Sequence, residues 1–325
     1  MRDNQESQPM NEHLNGKKVL VTGAAGFIGY HVTSALLASG AAEVRALDDL
    51  RCGSWQDYPE KAVKLQMDFS TASDDELAEA LKGVDILFHL AAEKYNSAML
   101  RPESILQVNV HGTYRLFMAA KKAGVRNVVF SSSLYAHGGT AMPLLKEDDM
   151  PKPWTVYGIS KLTGEHLLHH ATRDGAMQGT SLRFFFVYGP RQFAGTGYKS
   201  VIVNNFERIR KGQRPKIFGS GTQALDYIYV DDVVRAVLLA SSGAWKDRTL
   251  NIGTGVPTTI NDLTKNMLSV AHSVLEPEAC PPDWTDRTCR AADMTNTWSD
   301  GLWRAQTPLE VGLKNVYEWM QNHDR

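Results

Sequence analysis

From Lys18 onward, short apolar β-branched runs alternate with longer stretches of helical periodicity. Lys18-Val-Leu-Val-Thr22, Glu43-Val-Arg-Ala-Leu47, Leu65-Gln-Met-Asp68-Phe69, Ile86-Leu-Phe-His89-Leu-Ala-Ala92, Val128-Val-Phe-Ser-Ser-Ser133 and the run from Thr180 to Val187 read as strands. An amphipathic stretch ending near Ser39 and a long one from about Pro102 to Gly124 read as helices. Runs that are apolar throughout suit strands covered on both faces, so the alternation predicts an α/β fold with a doubly wound parallel sheet. After Gly189-Pro190 the pattern is broken by Gly195, Gly197, Gly212, Pro215, Gly219 and Gly221, which predicts a smaller second lobe. The run Asp226-Tyr-Ile-Tyr-Val-Asp-Asp-Val-Val reads as a strand returning to the main sheet and opening a helix, so the two lobes interleave. The segment from Pro277 to Arg290 reads as a loop.

The first strand runs into Gly23-Ala-Ala-Gly26-Phe27-Ile28-Gly29, and a helix follows. Small residues let the backbone approach a pyrophosphate, while the helix N-terminus offers unpaired N–H groups and a positive dipole. Asp48, about 20 positions further on at the end of the second strand, stands where it can accept both hydroxyls of an adenosine ribose. Its charge opposes a 2′-phosphate and so favours NAD over NADP, while Arg51 just beyond carries the opposite preference. The expected layout is a leader over 1–15, a Rossmann-type NAD-binding domain over 16–188 with a return segment at about 226–242, and a substrate lobe over 189–325.

Composition narrows the class of partner. Of 325 residues, 43% are hydrophobic and 22% charged, and 35 Lys+Arg against 36 Asp+Glu leave a formal charge of −1. No net field exists to attract nucleic acid or an anionic membrane. No apolar run approaches the roughly 20 residues of a membrane-spanning helix, and the polar segment Met1–Asn15 reads as a disordered leader without a signal-peptide core, so a cytoplasmic protein is expected. Cys52, Cys280 and Cys289 are scattered, which suits neither a disulfide framework nor a zinc site. His166, His169 and His170 lack partners at ligand spacing, so no metal is expected.

The sharpest chemical signal is Tyr157-Gly-Ile-Ser-Lys161, which puts a phenol and an ammonium on one face of a helix. A nearby ammonium favours the phenolate and is expected to lower the tyrosine pKa. Ser133, at the end of a central strand, can share the same substrate oxygen.

With these residues the chain resembles the extended short-chain dehydrogenase/reductase family, and within it the NAD-dependent nucleotide-sugar epimerase/dehydratase group that includes UDP-galactose (UDP-glucose) 4-epimerase. The motifs match in order: the turn Gly23–Gly29, Asp48, Asp68-Phe69, His89-Leu90-Ala91-Ala92, Asn109-Val-His-Gly-Thr113, Ser131–Ser133, Tyr157–Lys161 and Val187-Tyr-Gly-Pro-Arg-Gln192. The resemblance implies a catalytic set of Ser133, Tyr157 and Lys161. It implies that Gly23, Gly26, Phe27, Ile28, Gly29, Asp48 and Leu90 hold the cofactor, that Asp68 and Phe69 border its adenine, that Ala91 and Ala92 line its cleft, and that Lys161 bonds the nicotinamide ribose. Asn109 is expected to brace the central helix. A homodimer through helices near Ser104–Ala123 and Gly158–Arg173 is also implied. The activity implied is transient oxidation of a sugar hydroxyl, in which Tyr157 removes the proton and NAD takes the hydride.

Among the family's branches, 4,6-dehydratases usually carry an Asp-Glu pair after the strand-end serine, and decarboxylases a Glu at the second of these positions. Leu134-Tyr135 stand there instead, which leaves an epimerase, or a ketoreductase or dehydrogenase on a modified sugar, with a dinucleotide-sensing protein as a non-catalytic alternative. On the substrate side the chain departs from the family: Phe186 stands for a usual Asn, Leu225 for a usual Arg, and the C-terminal Arg falls near Asp283 or Trp284. Arg191, Lys199, Arg287 and Arg290 are candidate replacements for the missing phosphate ligands, and Glu93 and Tyr135 are further candidate substrate contacts. Glu93-Lys94-Tyr95-Asn96, at the mouth of the expected cleft, reads equally well as a solvated loop.

Overall fold

The computed structural model describes residues 11–95, 101–138, 144–192, 199–283 and 285–323. Strands are numbered along the chain. β1 (Lys18–Thr22), β2 (Glu43–Asp48), β3 (Val63–Gln66), β4 (Ile86–His89), β5 (Asn127–Ser133), β7 (Gln178–Phe184) and β11 (Thr249–Ile252) form a seven-stranded sheet in the order β11-β7-β5-β4-β1-β2-β3. Every pairing in it is parallel.

Strand periodicity divides the core in two. Val19, Val21, Ala46, Phe88 and Val129 join one apolar cluster, while Leu20, Leu47, Leu87, Val128 and Phe130 join the other. Helices α1 (Phe27–Ala38) and α6 (Val230–Ser241) pack together on the first face. The second is covered by α2 (Asp74–Leu81), by α3 and by α4 (Val156–Thr172). α3 runs as α-helix over Pro102–Ile105, widens to a π-helical stretch over Leu106–Gly112 and resumes as α-helix over Thr113–Ala123. The α2 start is a capping box, in which Ser73 accepts from the Glu76 amide and Glu76 accepts from the Ser73 amide.

The second lobe is built on β12 (Pro257–Thr259), β10 (Ala224–Tyr229), β14 (Cys289–Ala292) and β6 (Leu144–Leu145), in that order, with β8 (Phe186–Tyr188) also paired to β10. A separate pair joins β9 (Lys216–Phe218) and β13 (Glu278–Cys280), and α5 (Val201–Arg210), α7 (Ile260–Val270) and α8 (Leu309–Asn322) complete the lobe.

Four sequence expectations change. The run Thr180–Val187 is two strands: Phe185 leaves the main sheet after bonding Ile252, and β8 then pairs with β10. The strand at Ala224–Tyr229 therefore does not return to the main sheet. Its helix α6 does, packing on α1, and β11 becomes the edge strand, so the main sheet extends well past residue 188. The segment Pro277–Arg290 contains β13 and the start of β14. Order also begins before residue 16: Glu12–Leu14 form a 3₁₀ turn, Leu14 is fully buried, and His13 bonds the Ser241 hydroxyl at 2.9 Å. The leader's residues 1–10 lie outside the described residues. No helix among the described residues is long and apolar enough to cross a membrane.

One buried ion pair ties the layers together. Glu165 on α4 accepts from Nε and a terminal nitrogen of Arg183 on β7, both at 2.9 Å, and from the Ser132 hydroxyl on β5. Both charged side chains are almost wholly buried. Removing one partner of such a pair strands the other charge, which costs about 3–5 kcal/mol. Glu165→Ala is therefore expected to lower the free energy of urea unfolding by about that amount, and Glu165→Asp, which keeps the carboxylate, by less.

Candidate active site

The site lies at the carboxyl ends of the central parallel strands, where an open sheet leaves a crevice between its connections. At its cofactor end, Gly23 takes φ +68°, and a Cβ there would lie 2.7 Å from the Ala91 amide nitrogen. A Cβ on Gly29 would lie 2.1 Å from the Gly23 carbonyl oxygen. Only glycine permits this closeness of backbone to backbone. α1 starts at Gly26 with no side-chain cap and no acidic residue in its first turn, so its leading N–H groups are left for an anion.

Asp48 ends β2 and is turned inward, accepting from the amides of Ala25 at 3.0 Å and Leu50 at 2.8 Å. Burial raises its pKa, against those two hydrogen bonds. Arg51 is held by Asp49, by Asp68 at 3.1 Å and by Glu93 at 3.0 Å. A guanidinium shared among three carboxylates is a poor receptor for a 2′-phosphate, so this end of the cleft fits NAD.

The acid–base set is held by β5 and α4. Thr155 caps α4 and accepts from the Gly158 amide, which orients the first turn carrying Tyr157. A Cβ on Gly158 would lie 2.3 Å from the Tyr135 carbonyl oxygen, so glycine lets that turn sit against the end of β5. Tyr157 is hydrogen-bonded to Ser133. Lys161 donates to the Ser131 carbonyl at 2.7 Å, with its Nζ 5.1 Å from the Phe130 ring centroid and 5.9 Å from that of Tyr157.

Burial sets the protonation of this pair, which corrects the expectation that the lysine lowers the phenol. Surrounding protein pushes Tyr157 up to about 12, against the Ser133 hydrogen bond that favours the phenolate. Burial pulls Lys161 down to about 7, with the carboxylate of Glu165 opposing it. Beneath them His89 is fully buried between the hydroxyls of Thr22 at 2.7 Å and Thr113 at 2.9 Å, and burial pulls it down to about 3. It is a neutral brace.

Asn109, in the π-helical stretch, exchanges two hydrogen bonds with the Glu93 backbone, at 2.8 and 3.1 Å, and donates to Ser160 at 3.1 Å. It braces both the loop after β4 and α4. Tyr95, on that loop, stacks on Tyr135 with centroids 4.9 Å apart and planes 22° from parallel. Tyr135 meets Tyr157 edge-on at 5.8 Å, and Arg290 lies 6.0 Å from the Tyr135 centroid and 5.5 Å from that of Phe186. The end of the cleft beside Tyr157 is thus walled by aromatic rings, with the Arg290 guanidinium among them.

Several of the expected contact residues are engaged within the protein. Glu93 faces Arg51 at the adenosine end, and the Phe69 side chain is buried edge-on against His89 rather than open to the cleft. Asp68 accepts from Ser70 and Arg51. Arg191 lies 3.8 Å over the Tyr30 ring, and Lys199 is paired with Glu207. Asn96 and Trp284 lie outside the described residues, and no metal-ligating cluster occurs among the described residues. Tyr95 was signalled only by its place in the polar cluster after Ala92, where Glu93 drew the attention through its charge.

A phenol bonded to a serine hydroxyl, beside a glycine cradle for a dinucleotide, can exchange a proton with a bound alcohol while the same carbon is oxidised or reduced. Residues 19–253 match the NAD dependent epimerase/dehydratase family. The chain belongs to that family. It is 34% identical over 311 residues to a UDP-glucose 4-epimerase of Mycolicibacterium smegmatis, covering 94% of this chain and 99% of that one. A solved UDP-glucose 4-epimerase of Thermotoga maritima with UDP-glucose superposes with a TM-score of 0.86 at 33% identity, over 94% of this chain and 99% of the other. That of Thermus thermophilus in complex with NAD gives 0.83 at 26% identity, with the same coverage. The protein is an NAD-dependent enzyme of the nucleotide-sugar epimerase/dehydratase type.

The depressed Lys161 gives a pH signature in cofactor-free protein. Between its folded value of about 7 and the ordinary lysine value of 10.5, the unfolded chain binds one more proton than the folded chain. Stability from this residue therefore rises with pH across that window. Unfolding of wild type and Lys161→Met, compared at pH 7 and pH 9, is expected to show wild type gaining relative to the variant at the higher pH. An unchanged difference would contradict the lowered value.

Proposed function

We propose that the enzyme is a nucleotide-sugar 4-epimerase, which oxidises the sugar transiently at C4 and reduces the keto sugar on its other face. The observation that carries this reading is the Tyr157–Ser133 pair, bordered by Leu134 and Tyr135. Leu134 is buried and apolar, and Tyr135 serves as an aromatic wall. Neither supplies the carboxyl acid and carboxylate base that elimination of water would need. NAD, when bound, supplies the chemistry of accepting and returning a hydride at the sugar carbon.

The chain's own residues handle the proton and the geometry. Tyr157 receives the hydroxyl proton as the carbonyl forms and returns it when the alcohol is restored, while Ser133 shares the oxygen and steadies its developing charge. Lys161 is fixed by the Ser131 carbonyl, so its ammonium lies beneath the phenol where it favours the phenolate once charged. Tyr95, Tyr135 and Phe186 wall the pocket with flat apolar faces. Such walls exclude water from a keto sugar and hold it by stacking, without fixing one rotational orientation through many hydrogen bonds.

The same reading includes a homodimer. Leu106 and Tyr114 on α3 and Ile159 on α4 are 49%, 42% and 45% exposed. Apolar side chains gathered on two adjoining helices suit a self-complementary four-helix contact with a second copy. Light scattering is expected to give twice the chain mass, and Ile159→Asp to shift it toward the monomer.

Activity is tested by incubating the protein with UDP-, dTDP-, GDP- and CDP-sugars without added cofactor and following the anomeric protons by NMR. A new epimer without net NADH is expected, and Tyr157→Phe should slow its appearance by about 10²–10⁴-fold. Turnover that consumes added NADH stoichiometrically would make the enzyme a reductase instead.

A further inference from the structure

Phosphate recognition by the substrate lobe raises a problem, since Phe186 and Leu225 supply neither charge nor hydrogen bond where the resemblance leads one to expect both. Four cations were candidates to replace them. Arg191 is stacked on Tyr30 and donates to the Gln56 carbonyl at 3.2 Å. Lys199 is engaged by both carboxylate oxygens of Glu207, at 2.8 and 2.6 Å. Arg287 has an 84% exposed side chain and lies 3.7 Å from Asp286. Each is committed or turned away from the aromatic enclosure.

Arg290 lies among the aromatic rings themselves. It lies on β14, and the parallel register of β10 and β14 pairs its Cα with that of Leu225. Residues paired across neighbouring strands project from the same face, so the guanidinium stem stands beside the leucine. Leu225 and Arg290 are only 9% and 8% exposed. The guanidinium reaches Phe186 at 5.5 Å and donates to the Tyr135 hydroxyl at 3.4 Å, which brings it to the far wall from Tyr157. A buried arginine at the seam of an aromatic sugar pocket has the planar donor fork suited to an oxyanion.

We propose that Arg290 is a substrate-specificity residue that binds an oxyanion of the nucleotide sugar, replacing across the strand pair the cation absent at Leu225. The inference rests on the nucleotide-sugar reading above. The oxyanion can belong to the diphosphate or to a carboxylate on the sugar, and its position beside Leu225 and Phe186 favours the diphosphate.

Calorimetric titration of the NAD-loaded enzyme with UDP, UDP-glucose and UDP-glucuronate separates these sources. Arg290→Gln is expected to weaken all three by roughly tenfold to a hundredfold, the size of a lost charge-assisted bond. Loss confined to UDP-glucuronate would support the oxyanion role and assign it to the sugar carboxylate. Moving the cation back across the strand pair, in the double variant Leu225→Arg with Arg290→Leu, is expected to recover most of the lost affinity relative to Arg290→Leu alone. A purely structural arginine would give no such rescue. Wild-type affinity for all three ligands in a folded Arg290→Gln protein would overturn this proposal alone, whereas a wild-type enzyme that binds none of them would overturn the nucleotide-sugar reading with it.

Discussion

The Glu165–Arg183 ion pair is the contact on which the geometry of the site depends. Glu165 also receives the Ser132 hydroxyl, one residue before Ser133, and it sits one helical turn from Lys161. Arg183 extends the network through His137, whose Nε2 shares a 2.9 Å hydrogen bond with Asn251 on β11. Asn251 in turn donates to the carbonyls of Leu145 on β6 and Asp293 just after β14. One buried polar chain thus runs from Ser132 and Glu165, beside Ser133 and Lys161, through the edge of the main sheet into the second lobe. Every link is nearly desolvated, which makes the network costly to leave half-satisfied and restrictive in the arrangements it allows. It ties the second lobe to the end of β5 that carries Ser133 and to the helix that carries Tyr157 and Lys161.

Charge is handled differently at the two ends of the cleft. At the adenosine end, Asp49, Asp68 and Glu93 surround Arg51 in a part-exposed cluster, so the cation is neutralised where water and salt also screen it. At the chemical end, burial outweighs pairing: the phenol of Tyr157 is driven up and the amine of Lys161 down, and in the free enzyme both are held toward their neutral forms. A pair kept neutral by its surroundings can be recharged by ligands.

Much of this was legible along the chain. The strand ends of β1, β2 and β5, the glycine turn and the Tyr157–Lys161 spacing are local patterns that reappear in place, while the run from Ile86 to Ala92 stops as a strand at His89. What could not be read is non-local. The run Thr180–Val187 has one apolar period, yet Phe185 divides it because Ile252, far along the chain, takes up its amide and β10 captures Phe186–Tyr188. β10 looked like a returning central strand because it is buried on every residue, but burial between a small sheet and α8 leaves the same signature as burial in the main sheet. The protonation of lysine and tyrosine was likewise not legible, since spacing reveals a neighbour and not the burial that raises Tyr157 and lowers Lys161.

The substrate side shows why a motif comparison made position by position loses information that a strand register keeps. Leu225 in isolation reads as a lost ligand, and Arg290 in isolation as one charge in an irregular tail. Once β10 and β14 are paired, the two positions share one face, and a side chain from either strand can occupy the same space. A guanidinium needs only to reach the pocket in the right plane, and the strand of origin is immaterial to the bond it forms. The site therefore constrains the location of charge in space more tightly than its location in sequence. With Arg290 as the oxyanion ligand we propose, the chain departs from its family at Phe186 and Leu225 while retaining Tyr157, Lys161 and Ser133.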